Sequence, residues 1–521
     1  MLDFKYVTPF DKAVFEKYTY SCREKNCDFA FANVYCWSSF YHTEICEYGG
    51  FLIIRFRTDG KGKIGYAEPV GSGDFENVIN EIIRDAQANG QPLRMQSLSS
   101  MFAERIATLE CYKEFFVYSN RDFSDYIYSA DSLRSLSGKK LQSKRNHINQ
   151  FRRQYEYRYE PLAATHKNEV FMLLHKWQAA KHTDMRNLAV EADVIRCGME
   201  HFDELSLIGG ALYVDGHMVA FTYGSAINDE TFCVHIEKAD IDFESSFPMI
   251  NQLFINSLPE KYLYINREED LGLTGLRESK LSYHPLALYK KWYLLDKKNS
   301  EVEMFSLFEQ GFGDSSEFIV EYLCRWRPKG RSFVRRAGEK IVSAADLHRF
   351  RGNIITSGYI YGVVTEINFR RRGLSESIMR EIFNWLYHQG ESLAMLIAAD
   401  LSLSEWYITL GFSHHADQPA ELYADGNFDF GTGNAENNML QYRIINVLKY
   451  LTIYASEYPD KEAFTVAVAD DLLPFNDGLY RVEKGRVEMQ QNNSQDYITV
   501  TQLFDSYPLA ETKYIYDHFS V

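Results

Sequence analysis

Arg370, Arg371, Arg372, Gly373, Leu374 and Ser375 run consecutively between an apolar stretch, 359–365, and the helical pattern that begins at 374. They fill the pattern R-x-x-G-x-(small). Glycine lets a backbone turn tightly, so that successive N–H groups point one way. A helix N-terminus adds partial positive charge. Arginine adds fork-shaped donors suited to phosphate oxygens. The chemistry this spacing offers is pyrophosphate binding, and the alternative is a solvated basic turn before a helix. A second basic run, Lys139, Lys140, Lys144, Arg145, Arg152 and Arg153 with His147 and Phe151, could grip nucleic-acid phosphates or could be an ordinary solvated helix face. The eight cysteines, at 22, 27, 36, 46, 111, 197, 233 and 324, form no C-x-x-C pair and stand at no zinc-ligand spacing from histidine. Free thiols and no bound metal are expected, as in a reducing compartment.

These residues need elements to hold them. One pattern recurs along the chain: two apolar strands about a tight polar turn, then a further strand and an amphipathic helix. The turns fall near Asp59 and Gly60, at Asp215 and Gly216, and near Ala337 and Gly338. Asp-Gly between alternating apolar residues is a strong hairpin signal. In the helix that follows the arginine loop, Ile378, Ile382 and Trp385 fall at i, i+4 and i+7, one apolar face. Strands alternating with helices predict mixed α/β (α+β) layers. A polar stretch at 296–304 and an Asp-, Asn- and Gly-rich stretch at 417–438 mark two boundaries.

The chain has 521 residues, of which 45% are hydrophobic and 25% charged, and a formal net charge of −16. With 36 Tyr and 36 Phe it is not a mainly disordered chain. Its acidity excludes a general binder of nucleic acid or anionic membrane and leaves only local basic faces for such work. No apolar run reaches the roughly 18 residues that span a bilayer. The first residues show no charged and apolar leader pattern. A cytoplasmic location is therefore expected.

The segments GFGDSSEFIVEYL, YIYGVVTEINFRRRGL, LAMLIAAD and WYITLGF occur in the order and spacing of the GNAT acetyltransferases. Residues 311–412 resemble that family, in particular its enhanced-intracellular-survival (Eis) type. The closing segments MLQYRIINVLKYL, FTVAVADDLLPFNDGLYRVEKGRVEM and YITVTQLF are similar to the sterol-carrier-protein-like domain that ends the Eis enzymes. The second, degenerate acetyltransferase domain of those enzymes has no room here, so a substrate pocket would be built differently. The resemblance implies acetyl-CoA as co-substrate. It implies that Val363, Val364 and Thr365 pair with the pantetheine, and that Arg371, Arg372, Gly373, Leu374, Ser375 and Glu376 cradle the pyrophosphate. Ala399 and Asp400 would flank the thioester. Tyr407, four residues before Gly411, stands at the family's general-acid position; the alternative is one more core aromatic. The chain's terminal carboxylate, on Val521, matches the Eis base, with Glu366 as a less favoured alternative. His414 and His415 are expected at the surface.

The N-terminal half carries GKKLQSKRNHINQF, LSLIGGALYVDGHMVAFTYGSAIN, VHIEKAD and YINREEDLGLTGLRESKLSYHP. It resembles the catalytic region of the bacterial phosphatidylglycerol lysyltransferases, which pair two GNAT-like folds and use aminoacyl-tRNA. IEKADIDFESSFPMI stands where a CoA user would have its R-x-x-G-x-G loop, so this half is not expected to bind CoA. The resemblance implies a substrate site at Glu237, Arg267, Glu268 and Asp270, beside Glu269, where the central strands of such a sheet splay. The alternative is a structural ion-pair network.

The organisation expected is a GNAT-like module over 1–125, an aminoacyltransferase-like GNAT-like module over 126–295, a GNAT acetyltransferase domain over 300–416 and a sterol-carrier-like domain over 417–521. The function expected is acetyl transfer from acetyl-CoA to an amine, on a small molecule or peptide, in a bacterial-type fusion. Aminoacyl-tRNA is a further partner for the N-terminal half, and an oligomer is compatible with the sequence. Two other readings remain open: an aminoacyl-tRNA-dependent transferase with an accessory CoA-binding half, and a non-catalytic CoA-binding or interaction protein.

Overall fold

A computed structural model of the chain describes residues 2–58, 60, 62–179, 185–351, 356–414, 439–490, 497–507 and 509. The chain divides into two compact units, 1–299 and 300–521. No helix among the described residues is long and apolar enough to cross a membrane.

The first unit holds two mixed sheets. In the second of these, the turn Asp215-Gly216 closes a two-residue hairpin between Ile208–Val214 and His217–Ala226, and both turn residues take positive φ (51° and 78°). This is the backbone that an Asp-Gly hairpin requires. The strand Thr231–Ala239 runs antiparallel to His217–Ala226, and then parallel to Tyr264–Asn266 for only three residues, ending at Cys233 and Asn266. Beyond that point the two strands part and leave a fork. Phe232, Val234 and Ala220 face the helices Gln142–Gln154 and Ser246–Ser257 on one side of the sheet. Phe221, Tyr223 and Ile236 pack with Phe31 and Ala32 on the other.

The first sheet of this unit runs from Lys5–Tyr6 to Phe115–Ser119, but its second-last strand is Trp292–Asp296, inserted between Arg94–Leu98 and Phe115–Ser119. The sequence reading assigned 292–295 to the module that begins at 126. Its hydrogen bonds and the burial of Leu294 join it instead to the N-terminal sheet.

The second unit repeats the plan. Arg331–Ala337 and Lys340–Arg351 form the hairpin expected at Gly338, whose φ is +62°. Thr356–Thr365 pairs antiparallel with Lys340–Arg351, and parallel with Leu393–Ala398 for only three residues, 357–359. A second fork therefore opens beyond Tyr359 and Met395. Ile378, Met379, Ile382, Phe383 and Leu386 of the helix Leu374–His388 are buried against this sheet, as the apolar spacing predicts, although Trp385 is only partly buried. Met439–Ile444, expected in the closing domain, completes this sheet beside Leu393–Ala398. Four further strands with the helices Val447–Glu457 and Val500–Ser506 close the unit. Arg443 joins the two layers through Asp470 at 2.6 Å, both side chains almost fully buried. The stretch 417–438 lies outside the described residues.

Candidate functional site: two forked sheets

In the second unit the edge of Thr356–Thr365 that faces the fork has no strand partner over 360–365 among the described residues. A bulge sharpens the fork. Ala344 pairs with Val364 but Asp346 pairs with Tyr361, so Gly362 and Val363 together oppose Ala345, and Gly362 takes φ +64°. Bulges bend a strand and re-aim its side chains. Val364 and Thr365 are buried and Val363 partly so. The strand then enters the arginine turn. Arg370 Nε donates to the Thr365 carbonyl at 3.0 Å, Arg371 takes φ +58°, and Gly373, at φ +74°, caps the helix Leu374–His388. The three arginines and Gly373 are exposed, and nothing lies within 4 Å of where a Cβ on Gly373 would stand. The first amides of a helix have no partner within it, so the turn offers open donors to an anion. Ser375 is held from behind: its Oγ pairs with Thr365 Oγ1 at 2.7 Å, which pairs with Ser343 Oγ at 2.7 Å. Glu376 is paired with Arg380 at 2.9 Å.

Across the fork, Asp400 caps the helix Leu401–Thr409 by accepting from the Leu403 N–H at 2.8 Å, and Ala399 precedes it. Tyr407 lies on this helix, 5% exposed and packed against Phe412. Burial, and then the Asp400 carboxylate, push its phenol well above the ordinary value, so that it holds its proton. It shares a buried cluster with Ile360, Leu396 and Ala398 of the two strands that border the fork. Glu366 is engaged by Lys340 at 2.8 Å, as a structural carboxylate would be. Val521 and His415 lie outside the described residues. One cluster escaped the sequence reading: Tyr322 Oη donates to Asp346 at 2.8 Å and lies 3.2 Å from His348 Nε2. Burial and then Lys329 push His348 down to about 4, so it is neutral at pH 7.

In the first unit the sequence-selected residues divide between two networks. Arg267 pairs with Glu237 at 2.8 Å, and Asn251 also donates to Glu237 at 2.8 Å. Asp270 is fully buried between Arg277, Tyr126 and Arg121. Burial would raise its pKa, but Arg277, Tyr126 and the Gly272 N–H outweigh this and hold it at about 2. The Asp270 network is closed, whereas Arg267 Nη1 and Asn251 Oδ1 are buried with no hydrogen-bond partner among the described residues. Glu268 instead turns toward His235, with 2.9 Å between His235 Nδ1 and Glu268 Oε1. At the base of this fork Lys291 is fully enclosed by Asp125 at 2.8 Å, Asp28 at 2.9 Å, Cys27 Sγ at 3.1 Å and Glu269 at 3.5 Å. Burial works against the charge of Lys291, yet Asp125, Asp28, Cys27 and Glu269 outweigh it and keep the amine well above its ordinary pKa. Cys27, Asp125 and Glu269 are close enough together to hold a cation, and the Lys291 ammonium fills that role. Spacing in the chain gave no signal for this cluster, whose members come from 27, 125, 269 and 291.

The basic helix is less free than its charge run suggests. Lys144 lies over the Tyr283 ring at 4.3 Å, and burial, then Arg267, lower its pKa. Arg145 donates to the carbonyls of Leu136 and Gly138. Lys139, Lys140, Arg152 and Arg153 remain exposed.

The forked sheets and the arginine turn give a GNAT-like fold, and comparisons with known proteins agree. Residues 21–295, more than half of the chain, match the family described as phosphatidylglycerol lysyltransferase, C-terminal. Residues 296–414 match the acetyltransferase (GNAT) domain. A solved structure from Bacteroides thetaiotaomicron, of a conserved protein of unknown function, is 38% identical with a TM-score of 0.55; the match covers 57% of this chain and all of that one. The structure of L-PGS from Bacillus licheniformis is 15% identical with a TM-score of 0.40, over 57% of this chain and 94% of that one. An uncharacterized protein of Mycoplasmoides gallisepticum is 24% identical over 172 residues, 32% of this chain and 55% of that relative, so the chain spans about half the length of this curated relative. Residues 296–414 are a GNAT domain, and GNAT domains in general take an acyl-CoA as co-substrate. The chain belongs to the phosphatidylglycerol lysyltransferase C-terminal family and carries that GNAT domain after it.

Proposed function

We propose that the GNAT domain moves an acetyl group from acetyl-CoA to the amine of a small molecule or peptide. The observation that carries this reading is the strand edge at 362–365, which meets no further strand among the described residues and leads directly into the open turn at Gly373. The free edge suits an extended pantetheine chain laid beside Val363, Val364 and Thr365. The exposed donors of 371–376 suit the pyrophosphate, and Gly373 leaves it room. Ala399 and Asp400, which follow the strand Leu393–Ala398 across the fork, would flank the thioester. A neutral amine attacks the thioester carbonyl, the C–S bond breaks, and Tyr407 supplies the proton to the departing thiolate. Val521 is proposed as the base through its terminal carboxylate. The layer formed by Phe464–Ala469, Gly478–Glu483 and Arg486–Gln490 is proposed as sterol-carrier-like. Thiol release from acetyl-CoA against a panel of amines tests the reaction; no release with any amine removes it. Tyr407→Phe is expected to lower kcat about 10²-fold with little change in acetyl-CoA affinity. Normal turnover in that variant would leave Tyr407 as packing.

Family membership favours a second activity in the first unit: use of an aminoacyl-tRNA. There the fork is followed by Asp240, Asp242 and Glu244, with no arginine turn, which suits a ligand other than CoA. Any grip on tRNA phosphates falls to Lys139, Lys140, Arg152 and Arg153, since Lys144 and Arg145 are engaged. Reversing all four charges should abolish low-salt filter binding of aminoacyl-tRNA, and wild-type binding should fall steeply with salt. Equal binding by variant and wild type would leave the patch a solvated face.

A further inference from the structure

The first fork holds three side chains, Glu268 among them, in a linear hydrogen-bonded order that the acyl-CoA reading does not use. Ser225 Oγ lies 2.8 Å from His235 Nε2, and His235 Nδ1 lies 2.9 Å from Glu268 Oε1. A hydroxyl, a base in contact with it and a carboxylate orienting that base form the working arrangement of an activated serine nucleophile.

Irregular backbone produces this order at both of its further members. Tyr223 pairs with Ile236 but Gly224 pairs with Val234, so His235 is the extra residue of a bulge. Gly224 permits it: a Cβ there would fall on the Cys233 carbonyl. Glu268 takes φ +56°, which costs a non-glycine residue about 1–3 kcal/mol. That conformation is fixed by Lys280, whose Nζ donates to the carbonyls of Arg267 at 2.6 Å, Glu268 at 3.2 Å and Glu269 at 2.5 Å. Without the bulge and the left-handed turn, the imidazole and the carboxylate would not meet.

Ser225 also borders space. It lines a cavity of about 400 Å³ whose wall mixes Phe31, Leu205 and Leu207 with Lys12, Glu16 and Asp203. Alternation along His217–Ala226 puts Ser225 on the face of Phe221 and Tyr223, the face that packs with Phe31 and Ala32. The hydroxyl therefore belongs to the cavity side of the sheet, with His235 beside it.

We propose that Ser225, His235 and Glu268 form a second reactive site, in which Ser225 takes a short acyl group from a carboxylic ester. Ser225 Oγ adds to the ester carbonyl carbon as its proton passes to His235 Nε2. The bond between carbonyl carbon and alcohol oxygen breaks, and His235 returns the proton to the departing alkoxide. The acyl group rests on Ser225 until water or a second alcohol, deprotonated by His235, removes it and restores the hydroxyl. Glu268 is a positioning residue that holds the imidazole and supports its charge. Phe31, Leu205 and Leu207 in the cavity wall can take a short aliphatic acyl chain, while Lys12, Glu16 and Asp203 leave the rest of the wall polar.

The full-length protein is treated with a fluorophosphonate and, separately, with p-nitrophenyl butyrate, and the modified peptide is identified by mass. One phosphonyl group on Ser225 is expected, with none there in Ser225→Ala. His235→Gln should slow labelling at least about 10²-fold, the upper part of the range for a general base being 10⁴. Glu268→Gln should slow labelling, and Glu268→Asp should restore most of the wild-type rate. An unlabelled Ser225 in the wild type, or equal labelling in His235→Gln, overturns the proposal. Cys233 Sγ lies 3.7 Å from the same Glu268 oxygen. One equivalent of zinc in the purified protein with no label on Ser225 would likewise overturn it and assign Cys233, His235 and Glu268 to a metal. The phosphonate result and the acetyl-CoA assay fail independently of each other.

Discussion

Replacing Gly373 with glutamate is expected to abolish the rise in melting temperature that acyl-CoA confers on the wild type. At a hundredfold excess over Kd that rise corresponds to about 2.7 kcal/mol, and the variant should lose all of it. The new Cβ finds open space, with no other side chain within 4 Å of its position. A carboxylate near a helix N-terminus favours the helix itself by about 0.3–1 kcal/mol, which offsets part of the cost of φ +74°. The fold should therefore survive. What fails is the site, because the new charge stands where phosphate must approach the same helix end. Gly373→Ala separates the two effects: it carries the backbone strain without the charge and should retain most of the shift. Equal shifts in the wild type and Gly373→Glu would place the acyl-CoA elsewhere.

Lys291→Met is expected to destabilise the first unit by about 3–5 kcal/mol, the range for removing one partner of a buried charge pair. The ammonium is 3% exposed and faces Asp125, which is fully buried, together with Asp28, Glu269 and Cys27. Methionine matches the shape of the stem but leaves those carboxylates to repel one another without water. A fall of roughly 10 °C in the melting temperature of this unit follows from that free energy. The loss should depend on pH with a defined sign. Without Lys291 the folded-state pKa of Asp125 rises, so the penalty is full at pH 8 and shrinks as the medium is acidified and the carboxyl groups take up protons. Adding Asp125→Asn should restore part of the stability, which a double-mutant cycle would read as coupling. A change below about 1 kcal/mol would mean that the four groups do not act as a charged cluster.

Local signals survive in the sequence, and long-range ones do not. The hairpins at Gly216 and Gly338 were legible because a two-residue turn demands particular backbone from adjacent residues. The arginine turn was legible for the same reason, and so was the apolar face of the helix behind it. Lys144 and Arg145 looked like solvated charges because a charge run says nothing about the ring of Tyr283 or the carbonyl of Leu136. Asp346, His348 and Tyr322 were missed because the approach of a helix over a sheet, not spacing, joins them. His235 was invisible as a reactive group: its direction depends on a bulge that only the register against Tyr223 and Gly224 reveals.

The insertion of Trp292–Asp296 between Arg94–Leu98 and Phe115–Ser119 has a bearing on how the chain emerges during synthesis. The N-terminal strands cannot complete their ladder until nearly 300 residues have left the ribosome. Until then Arg94–Leu98 and Phe115–Ser119 present open edges, which are templates for pairing with other chains. The first sheet is thus the last part of its unit to close, and the second, whose strands all lie between 125 and 289, is free to form before it. The N-terminal sheet is in this sense assembled backwards, its order of birth reversed by one late strand that locks both unpaired edges at once.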